Sequence, residues 1–169
     1  MHREDGVSLI ELLTTLALAS VLVAFSALAL RHYWFVQSLE KASDQVVTEL
    51  RAAQQRVNAE SHPVVYGVRF DPGSASWGLV QYDPRKSSDK CTSVQSRSFD
   101  GTVETKAAGF TGGGDAETAC SAALGADNEF AFFYARGSAT PGSVTVQSRQ
   151  TGRTKVVNVT GVTGRVEAQ

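Results

Sequence analysis

The sequence predicts an α+β protein in which one long N-terminal helix packs against an antiparallel β-sheet head. Two observations support this fold class. The first is a helical pattern over residues 7–61, a stretch that contains neither glycine nor proline. The second is the change at residue 64, after which short β-rich segments alternate with turns of glycine, proline, aspartate and serine.

The first part of the predicted helix is apolar. The 24 residues from Val7 to Leu30 contain one charged side chain, that of Glu11. This length suffices to cross a hydrocarbon core of about 30 Å with some tilt, so we expect residues 7–30 to span a membrane. A carboxylate in such a segment costs roughly 2.5–3.5 kcal/mol on insertion scales. We therefore expect Glu11 to be paired, buried against protein or functional.

A secretory signal peptide is the main alternative for this segment, because the residues Ala27-Leu28-Ala29 resemble a signal-peptidase site. The apolar run is longer than the roughly 7–15 residues of a signal-peptide core, and Glu11 interrupts it. Helical periodicity also continues beyond that site. These features favour a membrane anchor, and an ordinary uncleaved anchor remains a second alternative.

Residues 31–62 continue the helix as an amphipathic segment. Apolar side chains recur at intervals of three and four, which is one face of an α-helix, at Phe35, Leu39, Ala42, Val46, Leu50, Ala53 and Val57. The helix should end before Pro63, because a proline disfavours helical geometry at the residue before it. A helix of about 50 residues is roughly 80 Å long at 1.5 Å per residue. We expect its apolar stripe to belong to the core of the head, residues 63–169.

The residues at the start of the chain also match a processing signal. Gly6 is followed by the run VSLIELL over residues 7–13. This motif resembles the class III signal of type IV pilins and type II secretion pseudopilins. The resemblance implies that prepilin peptidase removes a leader, residues 1–6, by cutting after Gly6, and that the new N-terminus at Val7 is methylated. It also implies that Glu11 meets the terminal amine of a neighbouring subunit during assembly.

Eight short segments of the head are predicted strands, since each is rich in β-branched or aromatic residues and lies between turn residues. They are Val64 to Phe70, Trp77 to Tyr82, Thr92 to Phe99, Thr102 to Lys106, Phe130 to Tyr134, Ser143 to Ser148, Lys155 to Val159, and Arg165 to Ala168. The stretch from Thr111 to Asp127 is small and polar and contains three consecutive glycines. We expect that stretch to be a loop.

The order of the C-terminal segments extends the resemblance to most of the chain. It is similar to the GspH/FimT group of minor pilins and pseudopilins in the segments FAFFYARG at 130–137, SVTV at 143–146, KVVNV at 155–159 and GRV at 164–166. This resemblance implies a pilin-like fold, with the long helix packed on two β-sheets. It also implies a place in the complex that initiates the tip of a filament.

The two cysteines, Cys91 and Cys120, flank the loop-rich middle of the head. An exported chain lies in an oxidising compartment, where a disulfide between them can persist. Closing a loop of about 30 residues is worth on the order of 3–4 kcal/mol in the chain-entropy model. Two buried free thiols or a metal pair are the alternatives, and the metal pair is disfavoured because the three histidines lie elsewhere in the sequence.

Charge is unevenly distributed, although the net charge is −1. Residues 71–135 hold nine acids and five Lys or Arg, which gives −4, whereas residues 136–169 hold five Lys or Arg and one acid, which gives +4. A basic segment can contact DNA phosphates, and the candidates are Arg149, Arg153, Lys155 and Arg165. In the resemblance, Arg165 matches the first arginine of a Gly-Arg-x-Arg pattern that some FimT-like pilins use to bind DNA. Glu167 replaces the second arginine, so an ordinary solvated surface is favoured.

The sequence offers little for catalysis, and we expect neither enzyme activity nor a cofactor. The Gly112-Gly113-Gly114 run lacks the Lys-Ser/Thr of a phosphate-binding loop, and no helix signal follows it. No histidine lies in the head beyond His62 at its edge. Oxygen ligands for calcium exist at Asp71, Asp83 and Asp127, and none lies in an EF-hand pattern.

These predictions leave three functional hypotheses. The first is a minor pilin of a type IV pilus, and the second is a GspH-like minor pseudopilin of type II secretion. The third is a DNA-binding pilin at a pilus tip. The expected partners of the first two are prepilin peptidase, other major and minor pilins or pseudopilins, and an inner-membrane assembly platform. The expected location is the inner membrane, with one span and an extracytoplasmic head, and then the pilus or pseudopilus at the cell surface.

Overall fold

The computed structural model describes residues 8–60, 63–135 and 137–169. The described residues form two helices and eight strands. In chain order these are α1 (Leu9–Ala59), β1 (Val65–Phe70), β2 (Ser76–Tyr82), β3 (Cys91–Ser98), β4 (Val103–Phe110), α2 (Gly114–Leu124), β5 (Glu129–Phe133), β6 (Gly142–Ser148), β7 (Thr154–Val159) and β8 (Val166–Ala168). The α+β class and all eight predicted strands are confirmed within a few residues at their ends.

The helix α1 runs without a break for 51 residues, as the sequence predicts. It ends at Ala59, because the backbone of the next residue, Glu60, is extended; the Glu60 N–H donates to the Arg56 carbonyl. Its second half packs against β1 and β5 on one side and against β6, β7 and β8 on the other. The predicted stripe is buried except for Phe35, which is half-buried; the buried members are Leu39, Ala42, Val46, Leu50, Ala53 and Val57.

The strands form two four-stranded antiparallel sheets. Sheet 1 has the order β3-β2-β1-β5, and sheet 2 has the order β4-β6-β7-β8. The main hydrophobic core lies between α1 and both sheets, and it contains the stacked rings of Trp77 and Phe99 and of Phe70 and Phe110. The two sheets predicted from the resemblance are therefore present.

Sheet 1 is covered on both faces, which explains the near-continuous apolar sequence of β5. Successive side chains of a strand point to opposite faces. Accordingly, Ala131 and Phe133 join the main core, whereas Phe130 and Phe132 join a second cluster under α2. The rings of Phe130 and Phe132 stack at a centroid separation of 5.8 Å.

The predicted loop from Thr111 to Asp127 is wrong, because it contains the helix α2. The prediction that no helix follows the Gly112-Gly113-Gly114 run is wrong for the same reason. The Gly113 N–H donates to the Glu117 carboxylate at 3.0 Å, which satisfies an amide at the helix start. Burial of Ala116 and Cys120 on sheet 1 supplies the tertiary stabilisation that so short a helix requires. Gly125, with φ of 113°, lets the chain leave the helix.

The predicted disulfide is confirmed: Cys91 at the start of β3 is bonded to Cys120 on α2. Both half-cystines are buried in the second cluster, beside Val80 and Tyr82. The bond therefore fastens α2 to the outer face of sheet 1.

Candidate functional site

The first part of α1 lies outside the head. The 18 residues from Leu9 to Ser26 have a mean hydropathy of 2.1, and none of them is buried. Large side chains such as Leu9 and Phe25 are 81% and 68% exposed. A contiguous apolar surface of this size marks a protein or membrane contact. By length and composition, this segment can cross a bilayer.

Glu11 is the acidic side chain in the first turn of α1. The N–H groups of Glu11 and Leu12 both reach the Ser8 carbonyl, at 3.0 and 3.2 Å, and so start the helix. The positive end of the helix dipole favours a carboxylate at this position. Within the described ranges, no cationic side chain lies within salt-bridge distance of Glu11. Gly6 and Val7, the predicted cleavage and methylation positions, lie outside the described residues.

Hydroxyl groups inside the apolar segment are satisfied by the helix itself. Thr14 donates to the Glu11 carbonyl and Thr15 to the Leu12 carbonyl, each at 2.9 Å. Ser20 and Ser26 donate in the same way to carbonyls three and four residues earlier. A hydroxyl paired with its own helix costs less to place in hydrocarbon than an unpaired one. Glu11 is thus the one charged side chain of the described part of the apolar segment.

Aromatic side chains mark the end of this segment, a feature that the sequence analysis missed. Tyr33 and Trp34 follow the apolar run and are 58% and 64% exposed. Aromatic residues directly after an apolar segment are the sequence signal, since tyrosine and tryptophan are enriched at membrane–water interfaces. The Gln37 side chain donates to the Tyr33 hydroxyl at 2.8 Å.

The four candidate DNA contacts are not brought together. Arg149 and Arg153 bound the β6–β7 turn and Lys155 lies just beyond it, whereas Arg165 lies in the turn between β7 and β8. These turns are at opposite ends of β7, which are about 20 Å apart for six residues. Arg165 contacts the Glu167 carboxylate.

Two of the remaining candidates are also paired with carboxylates. Arg149 lies 2.6 Å from Glu104, and the Lys155 ammonium lies 3.1 Å from Glu40. Ion pairing reduces the charge that a phosphate would meet. A DNA interface stays a prediction.

The candidate calcium ligands are dispersed as well. Among the described residues, no group of three or more His, Cys, Asp or Glu side chains could hold a metal ion. The Asp83 carboxylate accepts hydrogen bonds from the Arg85 side chain and from its backbone N–H, and these lower the pKa of Asp83.

Comparison with known proteins identifies the fold. No protein-family model and no curated protein matches the chain. The solved minor pseudopilin EpsH from the type 2 secretion system of Vibrio cholerae is similar, with a TM-score of 0.54 and 11% identity, covering 78% of this chain and 96% of EpsH. GspH of E. coli is also similar, with a TM-score of 0.55 and 14% identity, covering 79% of this chain and 88% of GspH. The chain therefore has the pilin-like fold of the GspH group.

Proposed function

We propose that this chain is a minor pilin-type subunit of a filament, either a type IV pilus or a type II secretion pseudopilus. The observation that carries the proposal is the exposed apolar half of α1, which holds Glu11 in its first turn and is attached to a head with a complete core of its own. A membrane holds this half before assembly. Other subunits cover it in the filament.

Each part of the helix has a role in this proposal. Prepilin peptidase cuts after Gly6, and the amine of Val7 is methylated. The cut places a cation about one helical turn from Glu11, so the carboxylate can pair with the amine of a neighbouring subunit. In a low-dielectric environment such a pair is strongly favoured over a lone carboxylate. The pairing sets the register in which the apolar helices pack.

The pseudopilin alternative receives specific support from the similarity to EpsH, which is a minor pseudopilin. Deletion of the gene can distinguish the pilin alternative from the pseudopilin alternative. Loss of surface pili with normal secretion indicates a pilin, and loss of secreted proteins with normal pili indicates a pseudopilin. In both cases the assembly platform of the inner membrane is the expected partner.

Replacing Glu11 tests the assembly role. We expect Glu11→Ala to insert into the membrane normally. The amount of this variant in the sheared filament fraction should fall at least about tenfold, which corresponds to a loss of about 1.4 kcal/mol in assembly free energy. Thr14→Ala is the matched control, because it removes a polar side chain one turn away and keeps the carboxylate. Normal incorporation of Glu11→Ala would refute the assembly role.

Mass spectrometry of the N-terminus tests the processing step separately. The protein recovered from its native membrane should begin at a methylated Val7. Gly6→Val should retain the leader, whereas the neighbouring change Asp5→Asn should be processed. A chain beginning near residue 30 would support a secreted head and would contradict the filament proposal.

A further inference from the structure

The β6–β7 turn folds back against the start of the soluble half of α1. A cleft of about 230 Å³ separates the two elements, with Phe35, Leu39 and Glu40 on the helix and Thr151, Arg153 and Lys155 on the turn and the first residues of β7. We propose that this cleft, called here the basal cleft, holds the phosphate headgroup of an anionic phospholipid. The inference rests on the proposed function in one respect, because it requires that the apolar half of α1 span a membrane.

The position of the basal cleft along α1 matches the depth of lipid headgroups. Phe35 lies five residues beyond Leu30, the last residue of the predicted span, which is about 8 Å along the helix axis. The headgroup layer on each side of a bilayer is roughly 5–8 Å thick. Tyr33 and Trp34, both exposed, lie between these two points and would rest at the interface.

The charges around the basal cleft favour an anion. Arg153 and Lys155 at its rim and Arg31 one turn below Phe35 contribute three positive charges, and Glu40 contributes one negative charge, which leaves +2. Lys155 is paired with Glu40. No carboxylate of the described residues lies within salt-bridge distance of Arg153 or Arg31. These two guanidinium groups are therefore available to a phosphate.

Arg31 lies on the same side of the helix as the cleft. Residues four apart lie one above the other on a helix, and the Arg31 guanidinium is 5.8 Å from the centre of the Phe35 ring. This contact holds the cation towards the head and away from hydrocarbon. Arg31 and Arg153 thus approach the cleft from its membrane side and from its turn side. A guanidinium can bind phosphate oxygens in a bidentate manner.

Other acidic side chains at this level of the head face elsewhere. Asp100 lines a separate groove beside Tyr33 and Trp34, together with Lys41. Glu104 is engaged by Arg149. Neither Asp100 nor Glu104 lines the basal cleft.

A lipid phosphate fits this place better than a DNA phosphate. In a membrane-anchored protein, the cleft opens into a space of about 8 Å above the hydrocarbon. A duplex, whose major groove alone is about 12 Å wide, is too large for that space. Arg165, at the far end of β7, lies beside Arg51 and Gln54 near the end of α1 and can serve as a control cation remote from the membrane.

A fluorophore on the β6–β7 turn can test the proposal with the full-length protein in vesicles. Gln150→Cys offers an exposed labelling position in the turn that does not line the cleft, and the two native cysteines do not react because they form the disulfide. The vesicles contain phosphatidylcholine alone or about one-third phosphatidylglycerol, plus a trace of headgroup-labelled quencher lipid. We expect stronger quenching with phosphatidylglycerol and a reversal by salt.

Substitutions at the two ends of the head show which cation binds the lipid phosphate. Arg153→Gln should lower the ratio of lipid-bound to lipid-free clefts about fivefold. This factor corresponds to about 1 kcal/mol, the contribution of one basic residue near an anionic surface. Arg165→Gln should leave this ratio unchanged. Equal quenching in the two lipid mixtures would overturn the proposal, as would an unchanged ratio in Arg153→Gln. Quenching that responds to added duplex DNA instead of phosphatidylglycerol would also overturn it.

Tryptophan fluorescence separates this outcome from a failure of the membrane span. Lipids brominated near the headgroup should quench Trp34, and Trp34→Phe should abolish that quenching, since Trp77 is buried in the core. Absence of quenching at Trp34 would refute the membrane span and with it the filament proposal. Normal quenching at Trp34 with no effect of phosphatidylglycerol at position 150 would refute the basal cleft alone.

Discussion

The Glu49 carboxylate on α1 lies 3.5 Å from the Arg97 guanidinium on β3. Glu49 is only 6% exposed, whereas Arg97 is about half exposed. The Arg97 guanidinium also lies 5.9 Å from the centre of the Trp77 ring. The pair therefore connects the long helix to the edge strand of sheet 1, whose last residues are otherwise exposed to solvent.

Removal of Arg97 should destabilise the head through Glu49. Arg97→Ala leaves a buried carboxylate without its cation, and we expect a loss of about 2 kcal/mol in the free energy of unfolding. The measurement is urea unfolding of the full-length protein in detergent, followed by near-UV circular dichroism.

Two further variants test this explanation. Arg85→Ala breaks a pair in which the arginine is largely exposed, and it should cost less than about 1 kcal/mol. Adding Glu49→Gln to Arg97→Ala should recover part of the loss. Equal effects of Arg97→Ala and Arg85→Ala would contradict the role assigned to the buried carboxylate.

Removal of the disulfide should destabilise the protein and release α2 first. The bond closes a loop with a sequence separation of 29, so its loss is worth about 3–4 kcal/mol in the chain-entropy model. We expect the double variant Cys91→Ser, Cys120→Ser to unfold at lower urea concentration than the parent. Hydrogen exchange should show the largest increase in α2, which packs on the sheet mainly through Ala116 and Cys120.

A reducing agent provides the control for this prediction. Dithiothreitol should lower the urea midpoint of the parent protein and leave that of the double variant unchanged. Uniform faster exchange over both sheets, with no preference for α2, would mean that the bond supports the whole head instead of one helix.

Alkaline pH should weaken the junction between α1 and β1. Burial, and the hydrogen bond that the Tyr66 hydroxyl donates to Glu60 at 2.6 Å, raise the pKa of Tyr66 to about 12 from an ordinary value near 10. The folded state therefore holds this proton more tightly than the unfolded state. The stabilisation is complete below about pH 10 and is lost as the pH rises from about 10 to about 12.

Urea midpoints at pH 9 and pH 11.5 measure this effect. The wild-type midpoint should fall more than that of Tyr66→Phe, which lacks the titrating hydroxyl. Tyr82→Phe, another buried tyrosine, serves as the matched control and should behave as wild type. An identical fall in Tyr66→Phe and wild type would rule out Tyr66 as the source.

The strands and α1 were predictable because their signals are local. Turn residues bound each strand, and the stripe from Leu39 to Val57 has helical spacing over five turns. The helix α2 was not predictable in this way, since an 11-residue helix next to glycines is marginal by itself. Its stability comes from burial of Ala116 and from the bond to Cys91, which are contacts between segments distant in sequence.

The candidate site shows the same division. Glu11 stands out in the sequence because a lone charge in an apolar run is unusual, and its role in assembly stays a prediction. The basic residues gave no comparable guidance. Their neighbours Glu40 and Glu104 come from α1 and β4, so the ion pairs depend on tertiary structure that charge counting does not contain.

The unbroken α1 also has a mechanical consequence. A helix of 51 residues, about 75 Å long, has no glycine or proline at which it would bend under tension. A force applied to the apolar end of α1 would act on the head as a shear along the helix axis, because the second half of α1 packs against both sheets. All buried residues of the stripe would then share the load simultaneously, unlike the strands of an opening hairpin, which separate one pair at a time. Tension along α1 would therefore load the contacts between the helix and both sheets together, and the head would not separate strand by strand.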